Sequence, residues 1–117
     1  MKYRAFISYA HSDKQWARLL QRKLEAYRLP ADFAAQSNHG GRTLGRVFRD
    51  DDELAAGGEL GVALKNAIEE SESLIVICSF VTSASRWVNE EIALFRSQNP
   101  GRPIFIVLTP ELSAATG

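Results

Sequence analysis

The sequence predicts an α/β fold in which helices pack on both faces of a parallel sheet. Two observations carry this expectation. Strand-like and helix-like segments alternate from the N-terminus to Leu108, as they do in a chain that passes between parallel strands through helices. The two strongest apolar segments, Ser73-Leu-Ile-Val-Ile-Cys-Ser79 and Pro103-Ile-Phe-Ile-Val-Leu108, are continuous rather than alternating. That pattern belongs to strands buried on both faces. A length of 117 residues suits one compact domain and not two, and 45% hydrophobic with 24% charged residues is ordinary globular composition.

The elements follow in order. Lys2–Tyr9 enters a strand pattern at once. Asp13 or Ser12 then caps a helix whose apolar positions, Trp16, Leu19, Leu20, Leu24 and Tyr27, recur at spacings of three and four before Leu29-Pro30. Residues 30–45 carry turn chemistry without a period and predict a long loop. Arg46–Arg49 is a very short second strand, followed by the acidic loop Asp50–Gly58. A second helix places Leu60, Ala63, Leu64, Ala67 and Ile68 on one face, and Ser73–Ser79 is the third strand. The helix around Glu91 and the strand Pro103–Leu108 complete the pattern, and Thr109–Gly117 has none. The expected domain is therefore 1–108 with an unpatterned tail at 109–117, and the expected strand order is 2-1-3-4. Because alternation stops after the fourth strand, the domain is expected to continue beyond this stretch.

Composition excludes several functions. The formal net charge is zero, so no electrostatic case exists for nucleic acid or an anionic membrane. No apolar run approaches spanning length, and the N-terminus lacks signal-peptide architecture. The lone Cys78 cannot form an internal disulfide, which points to a reducing cytoplasm. His11 and His39 stand far apart without cysteine partners, so no metal site is expected. The consecutive Asp50-Asp51-Asp52 side chains diverge and read as a solvated loop.

A phosphate-binding Gly-x-x-x-x-Gly-Lys-Ser/Thr loop is absent. The first strand-to-helix turn reads Ser-Tyr-Ala-His-Ser-Asp, which lacks the glycines of a dinucleotide fingerprint. The third strand ends Cys78-Ser79 rather than in a receiver-type aspartate, and no Gly-x-Ser-x-Gly elbow exists.

Glu91 is the residue that breaks the pattern. In Ser85–Arg96 the apolar residues Trp87, Val88, Ile92, Leu94 and Phe95 gather on one helical stripe, and Glu91 falls near its middle. Asn89, Glu90 and Arg96 point elsewhere. An ionised carboxylate on a core-facing stripe costs several kcal/mol unless compensated. Either its head group snorkels out at the helix's first turns, or it serves a site. Topology favours the site. Ligands of open parallel sheets bind outside the carboxyl ends of the strands, where Ser8–Asp13, Arg49–Gly58, Ser79–Trp87 and Thr109 onward are expected.

Four blocks, in order, resemble the TIR (Toll/interleukin receptor/resistance protein) domain, especially its bacterial and plant-type members. They are Phe6-Ile-Ser-Tyr9, Val47-Phe-Arg-Asp-Asp-Asp-Glu-Leu54 with Gly57-Gly58, Ala67-Ile-Glu-Glu-Ser71 leading into Leu74–Ser79, and Ser83-Ala-Ser-Arg-Trp-Val-Asn-Glu-Glu-Ile92. The resemblance runs from residue 3 to about 108. It implies a flavodoxin-like fold of five parallel strands, four of which lie in this stretch.

The resemblance also implies NAD⁺ as substrate, not cofactor, with cleavage into nicotinamide and ADP-ribose or cyclised variants. The family's Trp-x-x-x-Glu arrangement maps onto Trp87 and Glu91, which makes Glu91 the expected catalytic residue and not Glu90. Ser8, Tyr9, His11, Arg49 and Trp87 are the expected substrate-binding residues. Many catalytic relatives carry arginine directly after the first-strand motif. Here the chain reads Ala10-His11, so His11 is the donor at that place, with Arg49 and Arg86 as candidates for the pyrophosphate. Trp87 either stacks on a substrate ring or packs in the core. Homotypic self-association through the Asp50–Gly58 loop and helix faces is the expected partner contact, and a signalling or defence protein the expected setting.

Two other functional classes stay in view: a non-catalytic TIR interaction module, and nucleoside deoxyribosyl transfer on a similar fold. Adaptor modules usually lack the Trp-x-x-x-Glu arrangement, which this chain retains, and the transferase needs a different substrate pocket.

Overall fold

A computed structural model describes residues 2–30, 44–49 and 61–116. The acidic loop Asp50–Gly58 and most of the long loop before the second strand lie outside these residues. The sheet has four strands: β1 (Ala5–Ser8), β2 (Val47–Arg49), β3 (Leu74–Cys78) and β4 (Ile104–Leu108). They pair in the order β2-β1-β3-β4, and every pairing is parallel. This is a flavodoxin-like α/β sheet in the expected order. The helices are α1 (Lys14–Ala26), α2 (Val62–Glu69), α3 (Arg86–Gln98) and α4 (Pro110–Thr116). The last is a short helix where the sequence shows no periodicity.

Strand alternation divides the core in two. On one face Phe6, Leu74 and Val76 pack against Leu64, Ala67 and Ile68 of α2 and Val88 and Phe95 of α3. On the other, Ala5, Ile7, Tyr9, Val47, Ile75 and Ile77 pack against Ala17, Trp16, Leu20 and Leu24 of α1. Two expected members of the α1 face, Leu19 and Tyr27, are exposed, while Ala17 is completely buried. A small side chain lets the helix backbone approach the sheet, which turns Leu19 outward. Tyr27 lies beyond the end of α1 in extended backbone.

The two edges of the sheet differ. On β2, the Val47 N–H donates to Glu25 Oε2 at 3.0 Å and its carbonyl accepts from Gln21 Nε2 at 2.8 Å. Side chains of α1 thus occupy the polar groups that an added strand would need. At the other edge, Phe105, Ile106, Val107 and Leu108 are all exposed, so among the described residues β4 is covered only at Ile104, which packs against the core.

The bottom of the molecule is tied by α3's C-terminal turn. Asn99 Nδ2 donates to the Ile68 carbonyl at 2.8 Å, and Arg102 Nη1 reaches the carbonyls of Glu69 and Ser71 at 2.9 and 3.0 Å. The Ile68 and Glu69 carbonyls lie in the last turn of α2, where intrahelical donors run out, and the Ile68 carbonyl also accepts from the Ser71 N–H at 3.2 Å. Gly101, with φ of 85°, supplies the left-handed residue that this turn requires.

Candidate active site

α3 begins where Ser85 caps it, its Oγ accepting from the Val88 N–H at 3.2 Å. From that start, helical phase brings Val88, Glu91 and Phe95 onto one buried row against the sheet. Glu91 is 1% exposed, so it does not snorkel. Trp87, Ile92 and Leu94 flank it half-buried against the same core. From β1, whose Phe6 and Ser8 alternate toward this face, the Ser8 hydroxyl donates to Glu91 Oε1 at 2.7 Å. Ser8 is itself fully buried.

The contact joins the last residue of the central strand to the second turn of α3, at the carboxyl edge of the sheet. A hydroxyl donated to a carboxylate favours its ionised form. Its contribution of about 1.5–3 kcal/mol offsets only part of the several kcal/mol that burying a carboxylate costs.

The structure brings some expected site residues to Glu91 and not others. Ser8 touches it, and Trp87 stands one turn away along α3. His11 is exposed in the short 3-10 turn His11–Asp13 that follows β1, on the same sheet edge. Tyr9 faces the other way, buried in the α1-side core. Arg49 also alternates to that side, where its Nε donates to Gln21 Oε1 at 2.9 Å. It lines a polar cavity of about 340 Å³ with Arg18, Gln21, Arg22 and Glu25. The period of two is the physical reason, since residues adjacent to Ser8 and Phe48 must point to the opposite face. Arg86 is spent on the surface, donating to Glu90 Oε1 at 2.7 Å across one helical turn.

A second carboxylate at this edge escaped sequence reasoning. Asp13 stands at the N-cap of α1, yet its side chain makes no cap hydrogen bond. It is 7% exposed and accepts instead from Ser79 Oγ at 2.6 Å, just past the end of β3. The signal was available in the expected order 2-1-3-4, which puts the turns after β1 and β3 side by side. Nearby, burial pushes the Cys78 thiol pKa up, and the Asp13 charge adds to this.

Among the described residues no group of three or more His, Cys, Asp and Glu side chains is placed to hold a metal. No described helix is long and apolar enough to cross a membrane.

Comparison with known proteins agrees with this architecture. The chain is 37% identical over 110 residues to the NAD(+) hydrolase ApTIR of an Actinoplanes species, an alignment covering 93% of this chain and 14% of that protein. The chain thus spans about one seventh of that relative's length. The family model described as TIR domain matches residues 5–116, nearly the whole chain. With its parallel sheet, its Phe6-Ile-Ser-Tyr9 strand and its Trp87-x-x-x-Glu91 helix, the chain belongs to the TIR domain family.

Proposed function

We propose that this domain hydrolyses NAD⁺ at the nicotinamide–ribose bond, with Glu91 as the catalytic group. The single observation behind this reading is the buried Glu91 carboxylate, held by Ser8 at the ligand-binding edge of the sheet. The name of the Actinoplanes relative supports the substrate.

The chemistry suits one carboxylate. Nicotinamide is a cationic pyridinium in NAD⁺, so when the C1′–N bond breaks its electron pair neutralises the ring. No acid is required for departure, unlike an ordinary glycoside, whose leaving oxygen must be protonated. Positive charge develops on the ribose, and an ionised carboxylate fixed beside it stabilises that transition state. Water then adds to C1′ and releases a proton, giving ADP-ribose. Ser8 orients Glu91, Trp87 offers a ring for stacking, and His11 is the donor on the turn after β1. Self-association in a signalling or defence protein is the setting that the family implies for activation.

The test is NAD⁺ turnover by the full-length protein across protein concentration, wild type beside Glu91→Gln and Glu90→Gln. Removing the Glu91 charge should cost at least about 3 kcal/mol, or roughly a hundredfold in rate. Glu90, half-exposed and paired with Arg86, should matter little. Equal turnover by wild type and Glu91→Gln would refute the mechanism. A second reading, a non-catalytic interaction module, draws on the exposed apolar strand Phe105–Leu108. It is favoured if neither protein turns over NAD⁺ under conditions where both assemble.

A further inference from the structure

We propose that Asp13 is a positioning residue: through Ser79 it ties the turn after β1 to the turn after β3 and so fixes the spacing of the two turns at the sheet edge where Glu91 lies. The inference rests on the NAD⁺-cleaving reading for what binds at that edge.

The geometry begins with a carboxylate in an unexpected role. An Asp at an N-cap ordinarily accepts from its own helix's N–H groups, for about 1 kcal/mol. Asp13 forgoes that bond and reaches across to the neighbouring strand's turn. The short O–H···O⁻ contact of 2.6 Å is of the charge-assisted kind. Ser79 is in turn fixed to its own strand. Its N–H donates to Thr82 Oγ1 at 2.7 Å, and that hydroxyl donates to the Ile77 carbonyl at 3.1 Å. Thr82 and Asp13 are both buried, so water does not compete freely for these bonds.

Each end of this chain leads to the candidate site. On one side, the Asp13 N–H donates to the Ala10 carbonyl at 2.8 Å, closing the turn that carries His11. On the other, the turn Thr82–Ala84 runs directly into Ser85, the cap of the helix bearing Trp87 and Glu91. The Ser8–Glu91 bond lies between β1 and α3 and does not pass through Asp13. Cutting the tie therefore loosens the two turns while leaving the Glu91 carboxylate in place.

That separation defines the test, made on the full-length protein with Asp13→Ala, Ser79→Ala and Asp13→Asn. Asp13→Ala and Ser79→Ala should each raise KM for NAD⁺ about tenfold, with kcat within about twofold of wild type. Asp13→Asn keeps an oxygen that accepts from Ser79 and should restore KM to within about twofold. A merely structural Asp13 would lower the folded fraction, and with it kcat, without moving KM. Amide hydrogen exchange supplies a readout independent of turnover. Ser79→Ala should speed exchange in residues 9–14, in the turn after β1. Unchanged KM in folded Asp13→Ala, or unchanged exchange at 9–14 in Ser79→Ala, overturns the proposal. Should Asp13→Ala fail to fold, Ser79→Ala and Asp13→Asn carry both measurements. Absence of turnover by the assembled wild type sinks the NAD⁺ reading and the role in substrate binding with it, while the exchange result still decides whether the tie exists.

Discussion

Ser8 and Glu91 lie 83 positions apart in the chain, yet the hydroxyl of one sits 2.7 Å from the carboxylate of the other with both side chains buried. The central strand and α3 meet at this polar contact beside the apolar core of that face. The first prediction follows from it. Ser8→Ala removes a donor to a buried carboxylate, a bond worth about 1.5–3 kcal/mol. NAD⁺ turnover should fall roughly tenfold or more, with less loss than in Glu91→Gln. Steady-state kinetics of folded Ser8→Ala decide this, and wild-type kcat in that variant would remove Ser8 from the mechanism.

Glu91 should also be a stability liability. Replacing a buried ionic group and its partner by apolar residues of similar volume is often neutral or stabilising by about 1–4 kcal/mol. The double variant Ser8→Ala/Glu91→Met should therefore melt at or above the wild-type temperature while being inactive. A drop of more than about 5 °C, on the order of 1 kcal/mol for a domain of this size, would show that the pair is structural instead.

Asn99 is a purely structural counterpart at the far end of the same helix. Its buried amide and the Arg102 guanidinium, which also donates to Asn99 Oδ1 at 2.9 Å, close the carbonyl end of α2. Asn99→Ala should lower stability by about 0.5–1.5 kcal/mol through the loss of a buried hydrogen bond, and leave KM for NAD⁺ unchanged. Denaturant unfolding beside steady-state kinetics measures both.

Cys78 should resist alkylation near neutrality. Its thiol pKa is raised by burial and then by Asp13, so the reactive thiolate is scarcer than in a free cysteine at any pH below that raised value. The folded state holds this proton more tightly, so the contribution is fully present below the unfolded thiol's pKa and is lost as pH rises through the folded one. Iodoacetamide labelling over pH 7–10 should lag a model thiol, and Asp13→Asn should narrow the lag. Labelling as fast as the model thiol would contradict the assigned environment.

What the sequence disclosed depended on whether periodicity or partner choice was at stake. β3 and β4 were legible as strands because of their continuous apolar runs, but the burial that such runs imply is seen in β3 and not in β4, whose last four residues are exposed. Glu91 was legible because one helical phase, set by Val88 and Phe95, leaves it no other direction. The Asp13–Ser79 bond was not, since an Asp at a helix start has a local use that spacing alone cannot distinguish from a remote one. Tyr9 and Arg49 were grouped with Ser8 by nearness to the strand ends, but strand alternation sends them through to the α1 face. The α4 helix gave no signal because seven residues span too few turns to show a period.

The unequal edges of the sheet give it a direction of growth. Glu25 and Gln21 act as a terminator on β2, whereas β4 presents Phe105, Ile106, Val107 and Leu108 exposed, and no described residue is seen to cap its outer edge. Any strand that lengthens this sheet joins from the β4 side, and the same apolar row makes an unshielded copy prone to stick there. Charged substitutions along that row would report in which state the surface is hidden, since they disturb assembly only where water has been excluded.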